Sequence, residues 1–284
     1  MFKGISALLA WMGRHFKGVL LLILLLWLFL PKSSTQLHPA NLQEIELFGP
    51  IVDARTIVES IEEARKNPAI KGVLLNVNSP GGAVPPSIEI SYAIRRLQAQ
   101  KPVVAYASGI MASGSYYSSI YAGDIIANPG AIVGSIGVIM ESANLEELLA
   151  KLGVKPQVVK EGTYKEAGTP TRAWTPQERA ELERLTHDTY TLFVSDVAKA
   201  RGLELNASNR YADAHIFLAS KAKEVGLIDA VGTLEDAKQT LIKRSHVSLP
   251  QWQKKDRFES FLERLGNKVL LQMQGLLYGL KASL

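Results

Sequence analysis

The 284 residues contain no cysteine, which excludes disulfides and thiolate metal sites and leaves the redox compartment open. The chain also lacks a Gly-x-x-x-x-Gly-Lys phosphate loop, a Gly-x-Gly-x-x-Gly dinucleotide fingerprint, a repeat of fixed period and a low-complexity linker within its central part. Positive charge is missing where a nucleic-acid binder would need it. The formal net charge is +5, but residues 1–32 carry four basic and no acidic residues, and residues 243–284 carry eight basic and three acidic. The body between them therefore holds 20 basic against 24 acidic residues, a balance of −4. With no cationic footprint on the body, no nucleic-acid partner is expected. What is abundant is apolar: 47% hydrophobic against 21% charged residues suits a globular domain with appendages rather than a disordered chain.

One appendage is the run Gly18–Leu30, unbroken by any polar residue up to Pro31. Thirteen helical residues rise only about 20 Å, short of a ~30 Å hydrocarbon core, so Lys17 snorkelling and the apolar Ile5–Met12 stretch would have to extend the span. The following Pro-Lys-Ser-Ser-Thr-Gln offers no Ala-x-Ala cleavage site, which favours an uncleaved anchor over a signal peptide. Lys3, Arg14 and Lys17 precede the run and Lys32 alone follows it closely. The positive-inside rule then places the N-terminus in the cytoplasm and the body beyond the membrane.

From residue 42 onward, strand and helix patterns alternate. Strands are expected at 44–48, 72–78, 102–107, 124–127 and 137–140, and helices at 54–66, 86–100, 113–121, 175–200 and 214–226. The repeated strand-turn-helix unit argues for an α/β domain of about 200 residues with a covered sheet. Three segments result: a stub and anchor at 1–32, a domain at 33–240 and a tail at 241–284.

Turns that follow strands carry the chemistry of α/β proteins. Gly81 and Gly82 follow the 72–78 strand, where missing Cβ atoms let backbone N–H groups approach a ligand oxygen. The heptapeptide Met111-Ala-Ser-Gly-Ser-Tyr-Tyr117 follows the next strand. Serine in such a turn is ordinarily a turn former or helix cap. As a nucleophile, Ser113 would have oxyanion donors in both turns. It would also need a base. His15 and His38 flank the apolar run, and His187 and His215 read as structural residues, so a lysine held neutral is the alternative; the residues alone do not choose among the lysines.

Four segments occur in one order: Asn78-Ser-Pro-Gly-Gly82, Ala112-Ser-Gly-Ser-Tyr-Tyr117, Gly134-Ser-Ile-Gly-Val-Ile-Met140 and Gly162-Thr-Tyr-Lys165. Together they resemble the signal peptide peptidase A (protease IV) family of bacterial membrane-anchored serine proteases, over about Glu44–Gly232. The resemblance implies a Clp/crotonase-like fold, Ser113 as nucleophile, Lys165 as general base, Ser135 as the hydroxyl that orients the lysine, and an oxyanion hole from N–H groups at Gly82, Gly81 and Gly114. It implies no cofactor and no metal. It also implies a homo-oligomer whose active sites are composite, peptide substrates such as remnant signal peptides, and a catalytic domain on the extracytoplasmic or periplasmic side of the bacterial inner membrane. The family usually has a second glycine where this chain has Ser115. Two rival readings are a crotonase-like acyl-CoA enzyme, which would use a similar glycine oxyanion hole, and a non-catalytic membrane scaffold.

The tail lies outside this resemblance. Phe258, Phe261, Leu262, Leu265, Val269, Met273, Leu276, Leu277 and Leu280 recur at three- and four-residue steps, with Lys254, Lys255, Arg257, Arg264, Lys268 and Lys281 around them. That spacing predicts an amphipathic helix, packed on a subunit or lying on the membrane surface.

Overall fold

The computed structural model describes residues 39–253 together with 15–18 and 20–21. Residues Ala40–Trp252 form one compact unit. The flanking segments belong to a second unit, in which residues 16–18 and 20–21 are helical. Most of the expected N-terminal anchor and the amphipathic tail lie outside the described residues. Among the described residues no helix is long and apolar enough to cross a membrane.

The compact unit is an α/β fold on a seven-stranded sheet of order β1-β2-β3-β4-β7, with β5 pairing β3 and β6 pairing β5. The elements are β1 Leu42–Phe48, α1 Arg55–Lys66, β2 Gly72–Ser79, α2 Val84–Gln98, β3 Val103–Ala112, α3 Gly114–Ser119, β4 Asp124–Ala127, β5 Ile132–Gly134, α4 Glu146–Lys151, α5 Pro176–Arg201, β6 Ile216–Leu218, α6 Ala219–Glu224, β7 Ala230–Val231 and α7 Leu234–Arg244. A 3₁₀ turn, Leu205–Arg210, follows α5. All pairings are parallel except β5 with β6.

The near-continuous apolar run of β2 is explained by burial on both faces. Alternate residues point to opposite layers: Val73, Leu75 and Val77 join the large core beneath α1, α2, α3 and α5, while Leu74 joins a smaller core with Leu42, Val104, Tyr106, Ala237 and Leu241. The smaller layer is built by α7 and by the chain up to Trp252, which bridges Leu42. Helix α7 runs across position 240 and belongs whole to the compact unit.

Two expectations differ from what is found. Residues 137–140, expected as a strand, pair with no other strand; the ladder is made by β5 just before them, and the chain then leaves the sheet through Gly134 and Ser135, both at positive φ. The 214–226 stretch is not one helix, because Ile216–Leu218 is drawn out as β6 against β5 before α6 starts.

β3 is the pivot of the sheet. Its first half pairs with β4 and its second half with β5, and its register against β2 shifts between Val77 and Ser79, where two residues of β2 span four of β3. Asn78 fills that bulge, its Oδ1 accepting from the Ile110 N–H at 3.0 Å, and a Cβ on Gly109 would meet the same oxygen at 2.6 Å. Past the bulge, Ser115 joins the ends of both strands. Its Oγ accepts from the Ala112 N–H at 2.9 Å and has two carbonyl acceptors within reach of its single hydrogen, Ser79 O at 2.7 Å and Ala112 O at 2.9 Å. The residue is completely buried, so its hydroxyl faces the strand ends and not solvent.

Helix α5 starts on a capping box. Thr175 Oγ1 accepts from the Glu178 N–H, the Glu178 carboxylate accepts from the Thr175 N–H, and Pro176 occupies the first helical position, where no N–H is needed. Glu178, only 3% exposed, is also gripped by both Nη atoms of Arg172 at 2.8 and 2.9 Å. Arg172 and the Thr175 N–H hold its carboxyl well below the usual range, at about 2.

Two outcomes follow. Ser115→Ala strands a buried amide and a buried carbonyl, and urea unfolding should show a loss of about 1–3 kcal/mol. Because Glu178 titrates near 2 folded and near 4.5 unfolded, its stabilisation is complete above about 4.5 and drains away as pH falls toward 2. Glu178→Gln should therefore melt lower than the parent at neutral pH, and the gap between the two melting curves should close on acidification through that window.

Candidate active site

Two turns meet at the ends of β2 and β3. The first, Pro80–Gly82, is held by a parallel bridge to Ile51: the Ile51 N–H donates to Gly81 O at 2.8 Å and the Ala83 N–H to Ile51 O at 2.8 Å. Gly81 has φ +93°, and a Cβ there would sit 2.6 Å from Gly114 N and 2.8 Å from Ser113 Cβ. Both the left-handed backbone and the lack of space demand glycine. A Cβ on Gly82 would lie 2.1 Å from Ile51 O, and one on Gly114 would lie 2.3 Å from Ser87 Oγ. Gly81 donates its own N–H to Ser79 Oγ at 3.2 Å. The N–H groups of Gly82 and Gly114 have no hydrogen-bond partner among the described residues, and a Cβ on Gly114 would come within 3.2 Å of Gly82 N.

Ser113 caps α3 with φ +53° and ψ −124°, a conformation costly for a residue with a Cβ. It is pinned from both sides: its N–H donates to Gly134 O at 2.8 Å and its carbonyl accepts from the Tyr117 N–H at 3.0 Å. Its hydroxyl makes no cap bond to the helix. Ser113 is thus a half-buried hydroxyl beside two free N–H groups, whereas Ser115 is turned inward and fully bonded.

The register Ala112↔Gly134 carries Ser135 alongside Ser113 at the ends of the paired strands. Ser135 also has positive φ, +51°, and its N–H donates to His215 O at 2.7 Å.

Next to Ser113 lies a narrow cleft, lined on its apolar side by Val84, Ile88, Tyr117, Val138, Leu192 and Phe193. Tyr117 and Phe193 rings lie 4.8 Å apart at 57°, and the Tyr117 hydroxyl donates to the Asp196 carboxylate. Burial and that carboxylate raise the Tyr117 pKa, so the phenol stays neutral. The cleft shares Gly137 and Val138 with a wider groove, walled by residues 137–140 and the face of α5 that carries Arg179, Glu183, His187 and Tyr190.

Lys165 does not line this cleft. It is exposed in a string of turns in which its N–H donates to Gly162 O at 3.3 Å and the Ala167 N–H to Tyr164 O at 3.0 Å. The next residue, Glu166, is tied through Arg172 to Glu178 in the first turn of α5. The cleft is instead lined by Thr189, Leu192 and Phe193 of the same helix. Eleven residues from Glu178 to Thr189 are about 17 Å of helix. His187 lines the wider groove, and His215, exposed, lies at a tilt of 47° to the Phe217 ring with centroids 6.0 Å apart; neither lines the Ser113 cleft. Among the described residues, no group of three or more His, Asp or Glu side chains is placed to hold a metal ion.

The far wall of the cleft was not foreseeable from the motifs. Leu192 and Phe193, with Asp196 holding the Tyr117 hydroxyl behind them, come from a long helix some 80 residues after the serine turn, at positions that read only as the apolar and polar faces of a helix.

The model of peptidase family S49 matches residues 95–248, more than half of the chain. A protein named as a protease in Methanocaldococcus jannaschii is 41% identical over 199 residues, 70% of this chain and 64% of that protein. A protein of Enterococcus faecium named as a signal peptide peptidase is 33% identical over 195 residues, 68% of this chain and 57% of its own length. Protease 4 of Salmonella typhi is 32% identical over 187 residues, 66% of this chain and 30% of that protein. The chain thus spans less than two-thirds of the length of each of these relatives. With the matched stretch containing Ser113, Ser135 and Lys165 on the α/β frame described above, the chain belongs to peptidase family S49, with the signal peptide peptidase and protease IV proteins as its relatives.

Proposed function

We propose that the chain is a serine endopeptidase with a Clp/crotonase-like fold that hydrolyses hydrophobic peptides, remnant signal peptides among them, through an acyl-enzyme formed on Ser113. The observation that carries this reading is the pair of partner-free N–H groups, Gly82 and Gly114, beside a strained serine whose hydroxyl is not used by the fold. Ser113 Oγ attacks the scissile carbonyl, its proton passes to a base, and the oxyanion that develops takes hydrogen bonds from those two N–H groups. Gly81 shapes the hole rather than donating to it, since its N–H is bonded to Ser79. The amine product leaves with the transferred proton, and water then releases the acyl group by the same route.

The base in this reading is Lys165 of a neighbouring copy. A lysine accepts a proton only in its neutral form, which desolvation favours. In the single chain Lys165 is exposed, and its turn is tied to the first turn of α5, about three turns from the cleft-lining Thr189, Leu192 and Phe193. Val158, Val159 and Tyr164 around it are exposed too, Val159 fully, an apolar surface suited to a second copy. Ser135, beside Ser113 in register, would orient the incoming lysine. The apolar lining of the cleft supports apolar substrate side chains. The Gly18–Leu30 run, with basic residues mainly before it, supports an anchor with a cytoplasmic N-terminus and the peptidase unit on the outer face of a bacterial cell membrane, and the tail supports a second membrane or subunit contact.

Ser113→Ala and Lys165→Ala should each lower peptide hydrolysis by roughly 10⁴-fold or more, with the double variant no worse, because members of one catalytic unit are not additive. Lys165→Arg should be equally inactive, since a guanidinium stays charged; turnover by that variant would remove the lysine base. Mixing tests the composite site. When Ser113→Ala and Lys165→Ala chains are dissociated and reassembled together, roughly a quarter of sites should regain both groups if neighbours share sites head to tail. A mixture as dead as its components would place both groups of a site on one chain.

A further inference from the structure

The segment that carries Lys165 is held by a network that the acyl-transfer chemistry does not use. Arg172 spends all four of its Nη hydrogens: Nη1 donates to Glu178 Oε2 at 2.9 Å and to Ala173 O at 3.0 Å, and Nη2 donates to Glu178 Oε1 at 2.8 Å and to Glu166 Oε2 at 3.0 Å. The same Glu166 oxygen takes Lys160 Nζ at 2.7 Å. Glu178 is in turn fixed by the capping box of α5. Glu166 is the residue immediately after Lys165, and its carbonyl accepts from the Thr169 N–H at 2.9 Å, which locks the turn on its other side. A continuous chain of charge-assisted bonds therefore runs from the lysine turn to the buried Glu178 in the first turn of a 26-residue helix whose other half lines the Ser113 cleft.

The arrangement has a second effect. A carboxylate next in sequence to a catalytic lysine is a hazard, because an ion pair between the two would hold the lysine protonated. Here Lys160 and Arg172 both occupy Glu166 and keep its carboxyl below the usual range, so it stays ionised, and bonded to them, across neutral and mildly acidic conditions.

We propose that Arg172 and Lys160, acting through Glu166, are positioning residues for Lys165: they fix the lysine-bearing turn to the start of α5 and keep the adjacent carboxylate from pairing with the lysine amine. This rests on the reading of Lys165 as the base. The charged groups around the lysine turn that bear on it are Lys160, Glu161, Glu166, Arg172 and Glu178, with Glu146 on the neighbouring helix α4 accepting from the Ala173 N–H.

The test uses the full-length assembled protein and a fluorogenic peptide. In Glu166→Ala the turn loses its tether, and kcat should fall about 10- to 100-fold, the scale of a displacement of roughly 1 Å at a reacting group, with KM within about twofold and oligomer size unchanged. Glu166→Gln, whose amide oxygen still accepts from Arg172, should recover most of that loss. Arg172→Met frees the carboxylate without removing it, so the pH at which kcat/KM reaches half its alkaline plateau should move upward, and the shift should vanish in the Arg172→Met, Glu166→Gln double variant. A wild-type kcat in Glu166→Ala, equal damage in the Ala and Gln variants, or an unmoved pH profile in Arg172→Met would overturn the proposal. If Arg172→Met does not assemble, Lys160→Met removes one contact at the exposed side of the network and should show a smaller upward shift; none would count against the proposal. Lys165→Ala is run in parallel. Retained turnover there would refute the lysine base itself, whereas a dead Lys165→Ala beside an unaffected Glu166→Ala would refute the positioning network alone.

Discussion

The contact on which the rest of the structure depends is the closure of the Gly81 turn onto the Ser113–Gly114 backbone, so tight that a single Cβ on Gly81 would fall inside van der Waals distance of both residues. To bring these turns together, β2 and β3 must be neighbours and must end at the same height. β3 reaches that height only by gaining two residues over β2 at the bulge filled by Asn78. Ser115 then bonds the carbonyl end of one strand to the final residue of the other. The positive φ of Ser113 is sustained because its N–H and C=O are each engaged by a separate element, β5 and α3. A serine in such a turn faces outward with its hydroxyl free, and the nearby amides have been stripped of the partners that a helix or strand would have supplied.

Helix α5 is the second organising element. One end is sealed by its capping box and by Arg172, and it packs Phe193 and Val194 into the large core while Asp196 receives the Tyr117 hydroxyl. It thereby joins the wall of the serine cleft to the anchor of the lysine turn. The anchor of the lysine turn and the cleft-lining residues lie about three turns apart on this rod, and Lys165 of the same chain does not line the cleft. That is the physical basis for proposing that sites are completed between copies, with the exposed Val158, Val159 and Tyr164 as part of the contact.

Much of the fold was legible because burial wrote itself into the sequence. The run Val73–Leu75, continued by Val77, is apolar on both sides because both faces of β2 are covered, and Thr175-Pro176 with Glu178 announces the start of α5. Helix α7 carried the same kind of signal, Thr233 with Asp236, and could have been found by it. Residues 137–140 misled for a different reason. Gly-Val-Ile-Met has the composition of a strand, but whether such a segment is paired depends on where the preceding residues have carried the chain, and Gly134 and Ser135 carry it off the sheet edge. β6 is the converse case: Ile216–Leu218 sits in a helix-like context and is drawn out as a strand because β5 offers it an open edge.

What the sequence determined by itself was the order of strand-turn-helix units, the glycines that no side chain could replace, and a pair of candidate serines one residue apart, because those properties follow from local conformational cost and from apolar periodicity. What only the tertiary structure decided was which serine is free. Ser113 and Ser115 are chemically identical in the sequence; Ser115 is claimed by the ends of β2 and β3, which lie 36 and 3 residues away from it, and that partnership exists only once the strands are paired. The same holds for the amides of Gly82 and Gly114 and for the tether from Glu166 through Arg172 to Glu178: a hydrogen bond is a property of two groups, and the chain alone lists the groups without saying which of them will meet.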